Sequence, residues 1–166
     1  DAEWQAHFAG IADAIVRELG PASVLDVGCA IGLLVEALRA RGVEAYGVDV
    51  SEYAIKEVHP SIRDFCTLQP ATAPFGRRYD LIVCIEVLEH LPPEQAQAAI
   101  ANFCRHADAV LFSSSPFDYV ELTHFNVQPP HYWARLFAQQ GFYRAVDVDA
   151  GFLTPWAACF RRRSEP

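Results

Sequence analysis

Apolar side chains recur at helical spacing over residues 2–19, where Trp4, Phe8, Ile11, Ile15 and Leu19 share one stripe. An amphipathic helix is predicted there, ended by Gly20-Pro21. The period then changes. A short apolar run at 23–27 reads as a buried strand, 32–41 as a helix and 44–50 as a second strand. Ser51 is placed to cap a short helix that stops near Pro60, and 61–66 reads as a third strand ahead of a proline-containing loop at 67–78. A fourth strand at 79–85, a helix at 92–106 entered through prolines, and a fifth strand at 108–113 continue the alternation. A long loop, 114–128, leads to a helix at 130–140 that Gly141 terminates. The last two strands, 142–149 and 156–163, have only a turn at 150–155 between them, so they should form an antiparallel hairpin. Strands alternating with helices predict an α/β chain with a mostly parallel, doubly wound sheet and right-handed crossovers.

Composition sharpens this picture. The 166 residues suit a single domain, 1–166, with one substantial core. An apolar fraction of 52% fits parallel strands covered on both faces. The formal net charge of −8, from 21 acidic residues against 13 lysines and arginines, opposes a nucleic-acid partner. The basic run Arg161-Arg162-Arg163 reads as the end of a strand in solvent. Five cysteines (Cys29, Cys66, Cys84, Cys104, Cys159) form no C-x-x-C pair, so they are expected as small buried hydrophobes in a reducing compartment, the cytoplasm. No signal peptide and no apolar run of bilayer length is seen, which argues against a membrane role. The chain begins at Asp1 without methionine, as a trimmed chain or a domain cut from a longer protein would.

The segment VLDVGCAIGLLVEALRARGVEAYGVDV, 24–50, carries the chemistry. An apolar strand bearing Asp26 runs into a glycine turn (Gly28, Gly32), a helix follows, and a second strand ends in Asp49. This is half of a doubly wound nucleotide-binding unit. Glycines let the backbone approach a ligand, and Asp49, 21 residues after Gly28, sits where a carboxylate can accept from both hydroxyls of a ribose. The turn spacing is G-x-x-x-G, without the third glycine that a pyrophosphate-binding turn needs. Asp26 would repel a pyrophosphate and instead suits a cationic ligand carrying an ammonium and a sulfonium.

D-x-G-C-x-x-G followed by an acid closing the next strand resembles motif I of class I S-adenosylmethionine-dependent methyltransferases. The resemblance continues in YDLIVCIEVLEHLPPE, 79–94, and in the layout of the C-terminal third. Ala30 departs from it, standing where that family usually has glycine. The resemblance implies a Rossmann-like sheet with strand order 3-2-1-4-5-7-6 and S-adenosyl-L-methionine as cofactor. On this reading Asp26, Gly28, Cys29, Ala30, Gly32, Asp49 and Val50 hold it, at the switch point beyond the carboxyl ends of strands 1, 2 and 4. The family's acid near the adenine is not carried over, because Asp64 sits early and Cys66-Thr67-Leu68-Gln69 follow it.

Just past the fourth strand stands Glu86-x-x-Glu89-His90, with His124 in the loop after the fifth. His90 or His124 could act as general base for a hydroxyl acceptor, with Glu86 facing the methyl end. The carboxylates and imidazoles could instead hold a divalent metal, as in the small-RNA 3′-terminal ribose methyltransferases, which use a similar E-x-x-E-H and a later histidine. The glutamates could also simply cap a short helix, or His124 could merely shape the acceptor pocket. Phe117, Tyr119, Phe125, Tyr132 and Trp133 are candidates for the acceptor side, with Trp133 and Phe137 expected to pack inward. The stretch 123–142 resembles methyltransferase domains of saccharide and natural-product tailoring, which would turn His124, Asn126 and Gln128 toward the acceptor. The expectation is O-methylation of a small molecule or saccharide, without a bound metal. An RNA-end methyltransferase and a non-catalytic cofactor-binding module of a larger synthase are the alternatives.

Overall fold

The computed structural model describes residues 1–163. It holds seven strands, β1 (Ser23–Val27), β2 (Glu44–Asp49), β3 (Cys66–Leu68), β4 (Tyr79–Ile85), β5 (Ala107–Ser113), β6 (Phe142–Arg144) and β7 (Ala158–Arg162). Five helices connect or precede them, α1 (Ala2–Glu18), α2 (Leu33–Arg39), α3 (Glu52–Lys56), α4 (Pro93–His106) and α5 (Pro130–Gln139). The sheet order is β3-β2-β1-β4-β5-β7-β6, as expected. Strands β1 to β5 pair in parallel, whereas β7 runs antiparallel to both β5 and β6. No helix among the described residues is long and apolar enough to cross a membrane.

Every residue of β1 is buried, because helices cover both faces of the sheet. On one face Leu25, Ile82, Val110 and Phe160 pack under α4 and α5. Trp133 and Phe137, four residues apart on α5, both point inward, and Phe137 stacks on Phe160 at 4.1 Å. On the other face Val24, Leu81, Val83 and Leu111 pack under α1 and α2. All five cysteines are buried and unpaired, as the composition suggested.

Three features differ from the sequence reading. Residues 60–65 form a 3-10 turn and β3 starts only at Cys66, since Pro60 sets a helical entry where a strand had been expected from 61. The final hairpin strands are shorter than 142–149 and 156–163, and residues 145–157 form an irregular excursion pinned by buried Ala145, Ala150 and Ala157. Finally, the arginine run is not simply solvated: Arg161 pairs with Asp147 at 2.9 Å, and Arg162 lies over the Phe142 ring and donates to the Cys104 carbonyl oxygen at 2.7 Å.

Candidate active site

The cleft opens where β1 and β4 diverge to feed helices on opposite faces. The turn after β1 is built from left-handed residues, Gly28 (φ 81°), Ala30 (φ 48°) and Gly32 (φ 82°). A side chain at Gly28 would also meet Val87, so Gly28→Ala should lower stability by about 2 kcal/mol, read by urea unfolding. An unchanged midpoint would show that the turn does not hold residue 28 in this left-handed conformation. Gly28 and Cys29 N–H both donate to the Val48 carbonyl oxygen, at 2.8 and 3.0 Å. Asp49 completes the turn: Oδ2 accepts from Ala30 N–H and Oδ1 from Ser51 N–H, both at 2.8 Å. The acid that the sequence placed at the end of β2 therefore braces the glycine turn as well as facing the cleft.

Two adjacent cavities share Gly28 and Ile85 as walls. The larger, about 350 Å³, is lined by Asp49, Val50, Gln69, Thr72, Glu86 and His90, among others. The smaller, about 100 Å³, is lined by Asp26, Cys29, Ala30 and Phe8 of α1. All seven residues predicted for the cofactor lie at these walls or, for Gly32, at the end of the turn that shapes them. Asp26 is 5% exposed, and among the described residues no hydrogen bond reaches its carboxylate. Burial, and secondarily Asp49, pushes its pKa up from 3.8 to about 7. The Gln69–Thr72 wall was not foreseen, because it follows β3 by an irregular loop held when Gln69 Nε2 donates to the carbonyl oxygens of Ala73 and Pro74. Asp64 lies exposed on the 3-10 turn.

Beyond β4 the chain turns sharply at Glu86, whose φ of 52° is unusual for a non-glycine residue and marks a strained switch point. Burial, then Glu89, holds the Glu86 carboxyl above its ordinary pKa. Trp156, from the irregular 145–157 segment, donates Nε1–H to Glu86 Oε2 at 3.4 Å, and Phe117 meets Trp156 edge-on. Trp156 carries no sequence signal, since it lies far away in an unpatterned turn.

His90 and His124 converge, with ring centroids 4.5 Å apart in a T-shaped pair. His124 Nδ1 lies 3.0 Å from the Asp118 carbonyl oxygen, and His90 Nδ1 lies 3.2 Å from that of Thr123. A carbonyl oxygen can only accept, so each neutral ring keeps its hydrogen on Nδ1 and its lone pair on Nε2. Glu89 is fully buried behind them: Ser114 Oγ–H donates to Oε2 at 2.9 Å, and Oε1 has no partner. Glu89, His90 and His124 offer ligand atoms within 4.8 Å of one another. Glu86 is not part of that set, and neither glutamate caps the 3-10 turn Leu88–His90. Asn126 and Gln128 serve the loop: Asn126 is buried, donates its N–H to the Glu89 carbonyl oxygen, and accepts from Gln128 Nε2. Phe117, Tyr119 and Phe125 are exposed on the loop, while Tyr132 is half-buried against the core.

Residues 4–145 match the model of a methyltransferase domain. The ubiquinone biosynthesis O-methyltransferase of Azoarcus sp. (strain BH72) is 34% identical over 100 residues, covering 55% of this chain and 43% of that protein. The chain thus spans less than half the length of the curated relatives it matches. Among solved structures, magnesium protoporphyrin IX methyltransferase from Synechocystis PCC 6803, with bound S-adenosylhomocysteine, superposes with a TM-score of 0.74 at 21% identity, over 96% of this chain and 83% of that one. A sugar N-methyltransferase from Streptoalloteichus sp. ATCC 53650 gives 0.74 at 15% identity, over 95% and 88%. At these identities the structural likeness speaks to the fold. With its glycine turn, its strand order and a matching family model over most of its length, the chain belongs to the methyltransferase domain family.

Proposed function

We propose that the chain binds S-adenosyl-L-methionine in the cleft and methylates a hydroxyl oxygen of a small molecule or saccharide in the cytoplasm. The buried, unpartnered Asp26 carboxylate carries the cofactor reading, because it is the group an ammonium would satisfy. Asp49 and Val50 would take the ribose and adenine side, and the Gln69–Thr72 wall would close over the base. When bound, the cofactor supplies a methyl group already activated on a sulfonium. The protein's remaining work is alignment and removal of one proton. Glu86 lines the cleft where an acceptor oxygen must approach, and Nε2 of His90 or His124 accepts the hydroxyl proton as the oxygen–carbon bond forms. Because the chain is short against its relatives, a neighbouring domain or subunit could complete the acceptor pocket.

A titration calorimeter should register S-adenosylhomocysteine binding, and Asp49→Ala should weaken it at least about tenfold, a loss of roughly 1.4 kcal/mol. No heat with the native chain would end the cofactor reading. Binding without turnover on a panel of phenolic and sugar acceptors would instead indicate a non-catalytic module.

A second reading rests on Glu89, whose buried Oε1 lies unpartnered in a cluster that also holds the imidazoles of His90 and His124. A carboxylate and two imidazoles suit Mn²⁺ or Zn²⁺, which would lower the pKa of an acceptor hydroxyl. Titration with Mn²⁺ alone and assays after chelation separate the two. Full activity in chelator supports the imidazole base, and activity restored only by metal supports the ion. Metal dependence need not imply an RNA acceptor, which the −8 charge disfavours.

A further inference from the structure

Cys29 belongs to the turn after β1 and Cys66 to the start of β3, yet β2, which lies between these strands, does not separate their thiols. Gly47 explains why. It is the register partner of Cys66 on the adjacent parallel strand, so the two positions face the same way about 4.8 Å apart. A Cβ at Gly47 would fall 2.6 Å from Cys29 Sγ and 2.7 Å from Cys29 Cβ. The Cys29 side chain thus fills the space that a residue with a side chain would take at 47. A Cβ at Gly32 would likewise fall 3.1 Å from Cys66 Sγ. Two glycines leave room for two thiols on one side of β2, both buried and unused by the chemistry proposed above.

We propose that Cys29 and Cys66 form a redox modification site, a reversible disulfide that deforms the turn on which the cofactor lies. The second half of this statement rests on the cofactor reading above. The oxidant is a hydroperoxide. Cys66 is the attacking sulfur, because the neighbouring Cys29 thiol holds its pKa below the usual thiol value. Its thiolate attacks a peroxide oxygen and the O–O bond breaks. With hydrogen peroxide the leaving hydroxide takes up the thiol proton as water, and Cys66 is left as a sulfenic acid. The Cys29 sulfur then attacks the Cys66 sulfur, the S–O bond breaks, and a second water leaves with the Cys29 proton. In sum, two thiols and one hydrogen peroxide give one disulfide and two waters. Cys29 lines the smaller cavity of the cleft and Cys66 lies behind it, so peroxide reaches the pair past Cys29 and a bound ligand obstructs that path.

Closing the bond brings the two sulfurs to about 2.05 Å. Cys29 stands between Gly28 and Ala30, both left-handed, and Ala30 N–H is held by Asp49. Pulling Cys29 toward β3 therefore shifts the backbone that faces both cavities.

The test uses the full chain and hydrogen peroxide. Peptide mapping should recover a Cys29–Cys66 cross-link with an intact-mass loss of about 2 Da. Affinity for S-adenosylhomocysteine, by calorimetry, should fall at least about tenfold and return with dithiothreitol. Prior addition of S-adenosylhomocysteine should slow the cross-linking. Cys66→Ser, with Cys66→Ala as a second variant, should bind the ligand when reduced and keep its affinity after peroxide. Absence of the cross-linked peptide, unchanged affinity of the cross-linked chain, or equal loss of affinity in the Cys66 variants would overturn the proposal. Failure of the reduced wild-type chain to bind S-adenosylhomocysteine is a different result, and it overturns the cofactor reading.

Discussion

Replacing Asp26 by asparagine should make the ligand-free protein more stable near pH 8 while removing most of its affinity for S-adenosylhomocysteine. The reason lies in the depth of the residue. Its carboxyl is 5% exposed at the end of a strand that is buried along its whole length, and burial raises its pKa from 3.8 to about 7. Between those values the folded chain holds a proton that the unfolded chain has released. The contribution of Asp26 to stability is therefore fully present below about pH 4 and is lost as pH rises through about 7. Some three pKa units correspond to about 4 kcal/mol, an upper limit on the penalty of the ionised form. Asparagine removes the charge but leaves a buried amide, so a gain of about 2 kcal/mol is expected at pH 8. Urea unfolding should show this advantage growing between about pH 5 and pH 8. An advantage that does not vary with pH, or a variant less stable than wild type at pH 8, would mean that Asp26 is not held as described.

Binding should move in the opposite direction. An ammonium needs the ionised carboxylate, so wild-type affinity should fall by up to about tenfold per pH unit below 7. The asparagine variant should bind weakly, at least about tenfold below wild type at pH 8, and lose this slope. A destabilising acid kept in place by the ligand it serves is the pattern expected of a binding site rather than of a core position.

The second large effect belongs to the histidine pair. His90→Ala and His124→Ala should each lower kcat by about 10²- to 10⁴-fold, the usual contribution of a general base, with the affinity for S-adenosylhomocysteine unchanged within about twofold. The rings touch at 4.5 Å and each is oriented through Nδ1 by a backbone carbonyl, so the double variant should be little worse than either single one. Single-turnover methyl transfer with a labelled donor separates the chemical step from binding. A variant that keeps full rate would remove its imidazole from the chemistry. Equal losses in rate and in cofactor affinity would point instead to collapse of the 114–128 loop, which His124 ties to Asp118.

The two halves of the site were unequally legible in the chain. Asp26, the glycine turn and Asp49 lie within 24 residues, on elements whose apolar runs and punctuating glycines declare themselves. Local rules carry such a unit because a strand, a turn and a helix are set mostly by neighbours in sequence. The Glu86–His90 segment was visible as a cluster of chemistry, but its geometry was not. Glu89 turned out to be the carboxylate that joins the imidazoles, and Glu86 the one that meets Trp156. That partition depends on the left-handed backbone at Glu86, which no propensity scale would predict for glutamate. Likewise, the hairpin strands came out short because buried alanines at 145, 150 and 157 hold an irregular segment whose packing has no periodic signature.

By itself, the amino-acid sequence determined the sheet, its mostly parallel direction and the end of it at which a ligand must lie, because hydrophobic period, glycine and chain-end acids act over a few residues. Only tertiary structure decided the depth of Asp26, the placing of Cys29 over Gly47 beside the Cys66 position, and the meeting of His90 with His124. Each of these joins segments that are distant in sequence, and each is set by which side chains the packed sheet leaves room for.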